Sequence, residues 1–340
     1  MIDENYWEEE YYKFWDKFVK DWFDSGADPK DEDSREYIRI LSDPKYGLNK
    51  DELPEPYQGN PKSGVDAVVL HLNPGTQQKG NYGKFSGESL EATKCYSNID
   101  DEGNGWLIRK YRDEAGYSYK KLINEIKFTY TQNGEQRSTQ GLSCLNPDLR
   151  HSEPEVCGVD WWQGSDPNSV GGTMKWVRQI YGNDQLCPSR VFAPEICPFH
   201  SKGFPTNKFK SLTAFIAEHV IIPTITAVNE NKLPFAVALG ASYNNVLETL
   251  MARKNGQIGV EKENDWSYAK SKFSKNAPCS IWPSDNGKYK TRNYRLYKVL
   301  SDGVKARILV TWTQGNLSAP ADHFSDVEKV IRDYVRNNPL

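Results

Sequence analysis

The sequence has no long hydrophobic run. Its 340 residues contain no stretch of about 18 consecutive uncharged apolar residues, which is the length that a membrane-spanning helix needs. The opening segment, MIDENYWEEEYYKFW, is acidic and lacks the apolar core of a secretory signal. Closely spaced cysteines are also missing, because the six cysteines lie scattered along the chain. These absences predict a cytoplasmic protein with reduced thiols and no membrane association.

Metal and phosphate-loop motifs are missing as well. Cys187, Cys197 and His200 include no close Cys-x-x-Cys pair, so we expect no zinc site, no iron–sulfur cluster and no cofactor. No Walker sequence and no Gly-x-Gly-x-x-Gly follows the first apolar segment. An alternative role for Cys197 and His200 is a thiol nucleophile with its base, against the simpler interpretation of a buried cysteine beside a loop histidine.

An overall excess of positive charge is absent, since the net charge is -3. This argues against a general nucleic-acid coat protein but leaves room for a local basic surface. The stretch from Tyr268 to Lys298 has eight Lys and Arg residues and one acid, Asp285, with aromatic residues between them. It predicts contacts to a nucleic-acid backbone by Lys288, Lys290, Arg292 and Arg295. The alternative is a solvated hairpin edge on which lysines prevent aggregation.

The amino-terminal segment carries large aromatic residues at helical spacing: Trp7, Tyr11, Phe14, Trp15, Phe18 and Trp22. They predict a helix that packs on the rest of the domain by this aromatic face. The alternative is an exposed aromatic stripe that binds a partner, which would make the protein an interaction module. We assign residues 1–55 to this helix and an acidic connection, and 56–340 to an α/β domain with insertions at about 93–188 and 253–290.

Four short apolar segments, rich in β-branched residues, alternate with helical patterns: Val65–Leu72, Arg190–Ile196, Phe235–Leu239 and Ala306–Trp312. This alternation predicts an α/β fold, a four-stranded parallel sheet flanked by helices. Asp302-Gly303 is a hairpin signal, so Tyr294–Leu300 is predicted as an added antiparallel edge strand. Helices are predicted around Tyr119–Phe128 and Thr173–Ile180, at Asp322–Arg336, and from Phe209 to Val220, with Pro223 ending or kinking the last of these.

Ligands of parallel α/β sheets bind outside the carboxyl ends of the strands. That rule brings four loop segments to one site: Asn73–Gly75, Glu195–His200, Gly240–Tyr243 and Trp312–Asn316. They offer amides, a carboxylate and an imidazole that can hold a small polar ligand. The alternative for Asn73-Pro74-Gly75 is an ordinary tight turn.

The segment Val68-Val69-Leu70-His71-Leu72-Asn73-Pro74-Gly75 resembles the first motif of the uracil-DNA glycosylase superfamily, in its Asn-Pro-Gly branches. Phe192 to Pro198 resembles the second-strand segment that ends in Cys-Pro, and Ala236–Gly240 resembles the third strand. Ile308 to Pro320 occupies the place of the last motif, and Pro56–Pro61 is similar to a feature of bacterial relatives. In short segments, the resemblance covers about half of the chain.

The resemblance implies a four-stranded parallel sheet with a base-sized pocket at one end. It also implies a flipped nucleotide whose glycosidic bond is hydrolysed by a positioned water. Asn73 would position that water, and Pro74 and Gly75 would hold the edge of the base. Tyr82 or Phe85 would be the stacking aromatic, and His200 and Trp312 would complete the pocket.

Two positions depart from the family pattern. Glu195 stands where the family has a base-reading Asn, and an ionised carboxylate only accepts hydrogen bonds, which favours a donor-rich edge such as that of guanine or cytosine, or a protonated ligand. The last motif has no His, so Gln314 or Asn316 would steady the leaving base, and losing one such donor typically costs ~2.7–4 kcal/mol. These departures predict a substrate other than uracil, or binding without catalysis.

The sequence therefore predicts a divergent uracil-DNA glycosylase-like protein that recognises a nucleobase or nucleotide and hydrolyses an N-glycosidic bond in DNA. Asn73 and Glu195 would be its catalytic residues. The alternative is a non-catalytic sensor that binds a nucleotide or a modified base. DNA or a nucleotide is the expected partner in either case.

Overall fold

A single mixed sheet forms the centre of the computed structural model, which describes residues 5–26, 28–48, 53–72, 106–152, 156, 158–163, 172–201, 208–253, 258–268, 281–283, 289–313 and 325–340. Its strands are β1 (Tyr57–Gln58), β2 (Ala67–Leu70), β5 (Val191–Pro194), β6 (Ala236–Leu239), β7 (Ile258–Tyr268), β8 (Ile281–Pro283), β9 (Tyr289–Ser301) and β10 (Val304–Thr313). A separate hairpin consists of β3 (Lys127–Gln132) and β4 (Glu135–Gln140).

The four predicted strands are adjacent and parallel, in the order β5-β2-β6-β10. Val68 lies opposite Phe192, and Leu70 lies opposite Ala238. Every residue of β2, β5 and β6 is buried, as expected for strands covered on both faces, and that is why these segments read as continuous apolar runs. The parallel core of the predicted fold is therefore confirmed.

The hairpin at Asp302-Gly303 is confirmed too, but its position in the sheet differs from the prediction. Both turn residues have positive φ, 49° and 81°, and they join β9 antiparallel to β10. However, β7 pairs along the other side of β9, so the expectation that Tyr294–Leu300 forms the edge of the sheet is wrong. Residues of the 253–290 insertion form β7 and supply this further hydrogen-bonded neighbour. At the opposite edge, β1 pairs antiparallel with β5.

The α-helices that flank this sheet are α1 (Lys13–Asp24), α2 (Glu32–Leu41), α3 (Trp106–Arg109), α4 (Tyr119–Asn124), α5 (Val159–Gln163), α6 (Gly172–Tyr181), α7 (Thr213–Ile216), α8 (Ile222–Glu230), α9 (Ala241–Ala252) and α10 (Ser325–Asn337). π-helical segments cover Tyr6–Tyr12, Lys110–Glu114 and Ala217–Ile221, and short 3-10 turns cover Pro61–Ser63, Pro147–Leu149 and Pro188–Arg190. Among the described residues, no helix is both long and apolar enough to cross a bilayer.

Helices cover both faces of the sheet, as β9 shows. The Tyr297 hydroxyl donates to Asn244 of α9 at 2.8 Å, and the Tyr294 hydroxyl donates to Glu328 of α10 at 3.3 Å. Because side chains alternate along a strand, residues 294 and 297 point to opposite faces. Helices α9 and α10 therefore lie on opposite sides, which agrees with the predicted flanking layers.

The amino-terminal aromatic residues are part of the same core as the sheet. Trp15 is 0% exposed and Trp7 is 3% exposed. The Trp7 ring lies 5.9 Å from that of Phe192 on β5, and Phe18 lies 5.8 Å from Phe199. The packed helix is confirmed, and the alternative of an exposed partner-binding stripe is wrong.

Two helix predictions are corrected. Of the two alternatives for the helix after Phe209, an end at Pro223 is wrong, since a π-helical turn, Ala217–Ile221, joins α7 to α8 and the proline lies in the first turn of α8. A π turn changes the hydrogen-bond ladder where the proline lacks an N–H and its ring would meet a carbonyl of the preceding turn. The predicted helix at Tyr119–Phe128 stops at Asn124, and Phe128 lies in β3, whose pairing with β4 outweighs the local pattern.

Candidate functional site

The segments that follow β2 and β5 leave the sheet side by side. The amide of Ile196 donates to the carbonyl of His71 at 2.9 Å, and the amide of Cys197 donates to that of Leu72 at 3.0 Å. His71 and Glu195 form a parallel bridge, so their side chains emerge as neighbours on the same face. The carboxyl ends of these two strands therefore meet at one place, as the sequence predicted.

Several predicted site residues lie outside the described residues: Asn73, Pro74, Gly75, Tyr82, Phe85, Lys288, Gln314 and Asn316. Asn73 follows Leu72 directly in the chain, so the predicted motif begins at the junction that His71 and Glu195 mark. Lys290 and Arg292 belong to β9 by their backbone, and their side chains are not among the described ones.

Glu195 is the most unusual residue of this junction. It is 6% exposed, and its Oε2 atom has no hydrogen-bond partner among the described residues. Burial raises the pKa of this carboxyl well above its ordinary value, and the nearby charge of Glu55 raises it further. A buried carboxyl with a raised pKa and a free oxygen is typical of acid–base or ligand-binding sites.

Glu55 is the second carboxyl of the site, and the segment that carries it runs along the residues after β5. The amide of Glu195 donates to the carbonyl of Pro56 at 2.9 Å, and the amide of Glu55 donates to that of Pro198 at 2.8 Å. The two acids are thereby held close to each other by backbone hydrogen bonds. Like charges in such proximity disfavour simultaneous ionisation.

Gln58 connects Glu55 to the rest of the site. Its Oε1 accepts from the Ser143 hydroxyl at 2.9 Å and from the amide of Cys144 at 3.2 Å. Its Nε2 donates at 3.3 Å to Glu55 Oε2 and to the Tyr119 hydroxyl. Since Oε1 is occupied by two donors, the orientation of the amide is fixed and its N–H group points at Glu55.

His71 is a buried, neutral member of the site. Its ring centre lies 4.6 Å from that of Trp162 on α5. Burial lowers the pKa of His71 to about 3, so the ring is uncharged at physiological pH. Tyr243 of α9 donates its hydroxyl to the backbone carbonyl of His71, which ties the end of β2 to the helix that follows β6.

His200 and Cys197 are both buried, and each lies near a backbone carbonyl. His200 Nε2 lies 3.1 Å from the Leu53 carbonyl and 3.6 Å from Glu55 Oε1. The Cys197 thiol points to the Phe199 carbonyl at 3.9 Å, and burial raises the pKa of this thiol. A thiol held protonated is a poor nucleophile, so the alternative of thiol catalysis loses its support.

Trp312 and Arg295 lie at the carboxyl end of β10 and on its neighbour β9. The Arg295 guanidinium sits 5.6 Å above the Trp312 ring, donates to Glu248 of α9 and lies 3.6 Å from Asp265 of β7. The charge of Arg295 is thus engaged with carboxylates of the protein itself. A contact between Arg295 and a nucleic-acid backbone would have to compete with these ion pairs.

No group of three or more His, Cys, Asp or Glu side chains has the arrangement of a metal site in the part of the chain that the structure describes. The three residues considered for zinc have other contacts. The Cys187 sulfur lies 3.1 Å from the Ser189 hydroxyl, the Cys197 thiol points to the Phe199 carbonyl, and His200 lies near the Leu53 carbonyl.

Sequence reasoning found Glu195 and missed Glu55, Gln58 and His71. His71 could have been found, because it is the last side chain before the predicted loop at the carboxyl end of a parallel strand. Glu55 is flanked by Pro54 and Pro56 and was assigned to the acidic connection. Its role depends on pairing with a segment about 140 residues away, for which the local sequence carries no signal.

Comparisons with protein-family models, with curated proteins and with solved structures find no match to this chain.

Proposed function

We propose that the protein binds a nucleobase of DNA at the carboxyl end of β2 and β5 and hydrolyses its N-glycosidic bond. The observation that carries this proposal is the buried Glu195 carboxyl, whose Oε2 has no hydrogen-bond partner among the described residues, beside His71 and Leu72, which Asn73-Pro74-Gly75 follow in the sequence. The four adjacent parallel strands agree with the fold that the resemblance to the uracil-DNA glycosylase superfamily implies.

The chemistry requires a group that orients water and a group that supports the leaving base. Asn73, by resemblance, would orient the water, and Glu195, which bridges His71 two residues before Asn73 in the sequence, is the proposed acid or base. A positioned general acid or base contributes typically 10²–10⁴-fold to the rate. Trp312 lies at the carboxyl end of β10, Gln314 and Asn316 come shortly after it in the sequence, and the three residues are proposed to complete the pocket.

The test is the release of free base from single- and double-stranded oligonucleotides that carry uracil, hypoxanthine or an oxidised base, detected by chromatography. We expect release from at least one of them and a loss of about 10²-fold or more in Asn73→Ala and in Glu195→Gln. Glu261→Gln, which makes the same replacement at an exposed position on β7, is the matched control and keeps full activity.

A second candidate function is a sensor that binds a nucleotide or modified base without cleaving it. The absence of His from Val310–Asn316 favours it, because no imidazole is available there to stabilise a departing anion. Release from no substrate, together with binding that Glu195→Gln weakens, would establish the sensor and exclude hydrolysis.

A further inference from the structure

The two carboxyl groups of the site have different surroundings. Glu55 accepts a hydrogen bond from the side-chain amide nitrogen of Gln58. Because the Gln58 Oε1 accepts from Ser143 and Cys144, the amide is oriented with its N–H group toward Glu55. It is also 3.6 Å from an imidazole nitrogen of His200. The hydrogen bond from the Gln58 amide favours the ionised form of Glu55.

Glu195 has the opposite environment. It is 6% exposed, its Oε2 has no hydrogen-bond partner among the described residues, and Glu55 is the carboxyl whose charge acts on it. A second negative charge there would lie beside the first in a buried surrounding, so the proton of the pair stays on Glu195. When the surroundings of two carboxyl groups separate their pKa values in this way, one group acts as the acid and the other as the base.

We infer that Glu195 is the general acid of the site and reads an acceptor edge of the base, donating first a hydrogen bond and then a proton to a carbonyl oxygen or ring nitrogen. This inference rests on the proposed function and names its substrate class, the oxopurines and oxopyrimidines. It replaces the expectation of a donor-rich edge, which assumed an ionised carboxylate. Glu55 is a positioning residue that keeps the proton on its neighbour.

The proton balance closes without a further reactant. As the bond between the sugar carbon and the base nitrogen breaks, the proton of Glu195 passes to the base, which leaves neutral. Water forms the new bond to the sugar carbon, and the proton that it loses returns to the Glu195 carboxylate. A neutral leaving base needs less support from the segment after β10, which is consistent with the missing His.

The other described groups that face Glu195 carry no charge at pH 7. They are His71 from β2, Tyr119 from α4, Tyr243 from α9 and Cys197 from its own segment. Burial lowers the pKa of His71 and raises the pKa of the two tyrosines and the thiol. Glu55 is therefore the charged neighbour among the described residues, and its removal is expected to shift the protonation of Glu195.

The first experiment needs no substrate. Carboxyl carbon NMR of the full chain, labelled at Glu and compared with Glu195→Gln to identify the signal, follows the titration of Glu195. We expect a protonated Glu195 at pH 6 and a titration that moves toward lower pH by about one unit or more in Glu55→Gln. A Glu195 signal that is ionised at pH 6 in the unaltered protein would overturn the inference, whatever the activity.

The second experiment is the pH profile of base release. Because the acid form is required, the rate falls as pH rises through the pKa of Glu195, and this falling limb shifts toward lower pH in Glu55→Gln. A purely structural role of Glu55 would lower the rate equally at every pH and leave the limb in place, which contradicts the inference. Glu261→Gln is the control with an unchanged profile. Release from no substrate would refute the proposed function, while the NMR titration still decides the state of Glu195.

Discussion

His219 illustrates what burial does to a single side chain outside the site. Its ring stacks on Phe14 at 3.6 Å and contacts Phe215 at 4.7 Å, and burial lowers the pKa of the imidazole to about 4. The unfolded chain takes up a proton below about pH 6.5, but the folded protein does not until about pH 4. Stability is therefore lost as the pH falls through this window, because the unfolded state binds more protons.

Replacement of this ring by one that does not titrate tests the coupling. His219→Phe keeps the stacking on Phe14, and we expect its unfolding free energy to fall less between pH 7.5 and pH 5 than that of the unaltered protein. At ~1.4 kcal/mol per pH unit, the unaltered protein should lose about 2 kcal/mol more unfolding free energy over this range than His219→Phe. Urea unfolding at the two pH values measures it, and equal losses in both proteins would show that His219 is protonated in the fold.

At the level of elements, the approach of the chain before β2 to strand β5 depends on a glycine. Gly59 has φ of +82°, and a Cβ there would lie 2.0 Å from the backbone carbonyl oxygen of Val191. A backbone oxygen held in a parallel sheet cannot move aside as a flexible side chain can. The same segment carries Gln58 and Glu55, so the close contact at Gly59 also holds these two residues next to β5.

Gly64 offers a matched comparison, because it has φ of +78° and open space around its Cβ position. We expect Gly64→Ala to cost about 1–2 kcal/mol from the positive φ alone. Gly59→Ala should cost a further 1–3 kcal/mol, roughly the cost of overpacking, or prevent folding. Urea unfolding of both variants tests this, and equal losses would mean that β1 can shift away from β5.

The sequence predicts the elements whose burial is set locally. β2, β5 and β6 are covered on both faces, so their apolar runs identify them, and Asp302-Gly303 identifies the hairpin. The strand β7 was not predicted, because its sequence, IGVEKENDWSY, is polar and its pairing is decided by β9. The turn Asn133-Gly134, with φ of 53° and 78°, carried a hairpin signal that was overlooked.

The same division applies to the site. Glu195 follows a predicted strand, so the rule on carboxyl ends finds it from the sequence alone. Glu55 and Gln58 reach the site through pairing with distant segments, which no local pattern encodes. The acid–base character of Glu195 could not be predicted from the sequence either, because its raised pKa arises from burial and from the charge of Glu55.

At the scale of the whole molecule, the amino-terminal helix and the sheet share one core. Trp15 contacts Phe18 and Phe215 at ring distances of 5.2 and 6.0 Å and is fully buried. We expect Trp15→Ala to lower the unfolding free energy by about 3–5 kcal/mol.

The same variant tests whether the helix unfolds with the sheet. Trp15→Ala should shift a single transition, seen alike by far-ultraviolet circular dichroism and by tryptophan fluorescence. Lys17→Ala, at an exposed position two residues away, is the control and changes stability by no more than about 0.5 kcal/mol. Two separate transitions in the unaltered protein would show that the helix is an independent unit.

Trp7 and Glu230 are in contact in the folded protein but far apart in the sequence, and this has a consequence during synthesis. The indole of Trp7 donates to Glu230 at 2.8 Å across a separation of 223 residues. At about 5–20 residues per second, a ribosome needs roughly 10–45 s to produce the second residue after the first. During that interval the aromatic face of the nascent helix lacks the partners that cover it in the folded protein, which exposes the early chain to aggregation.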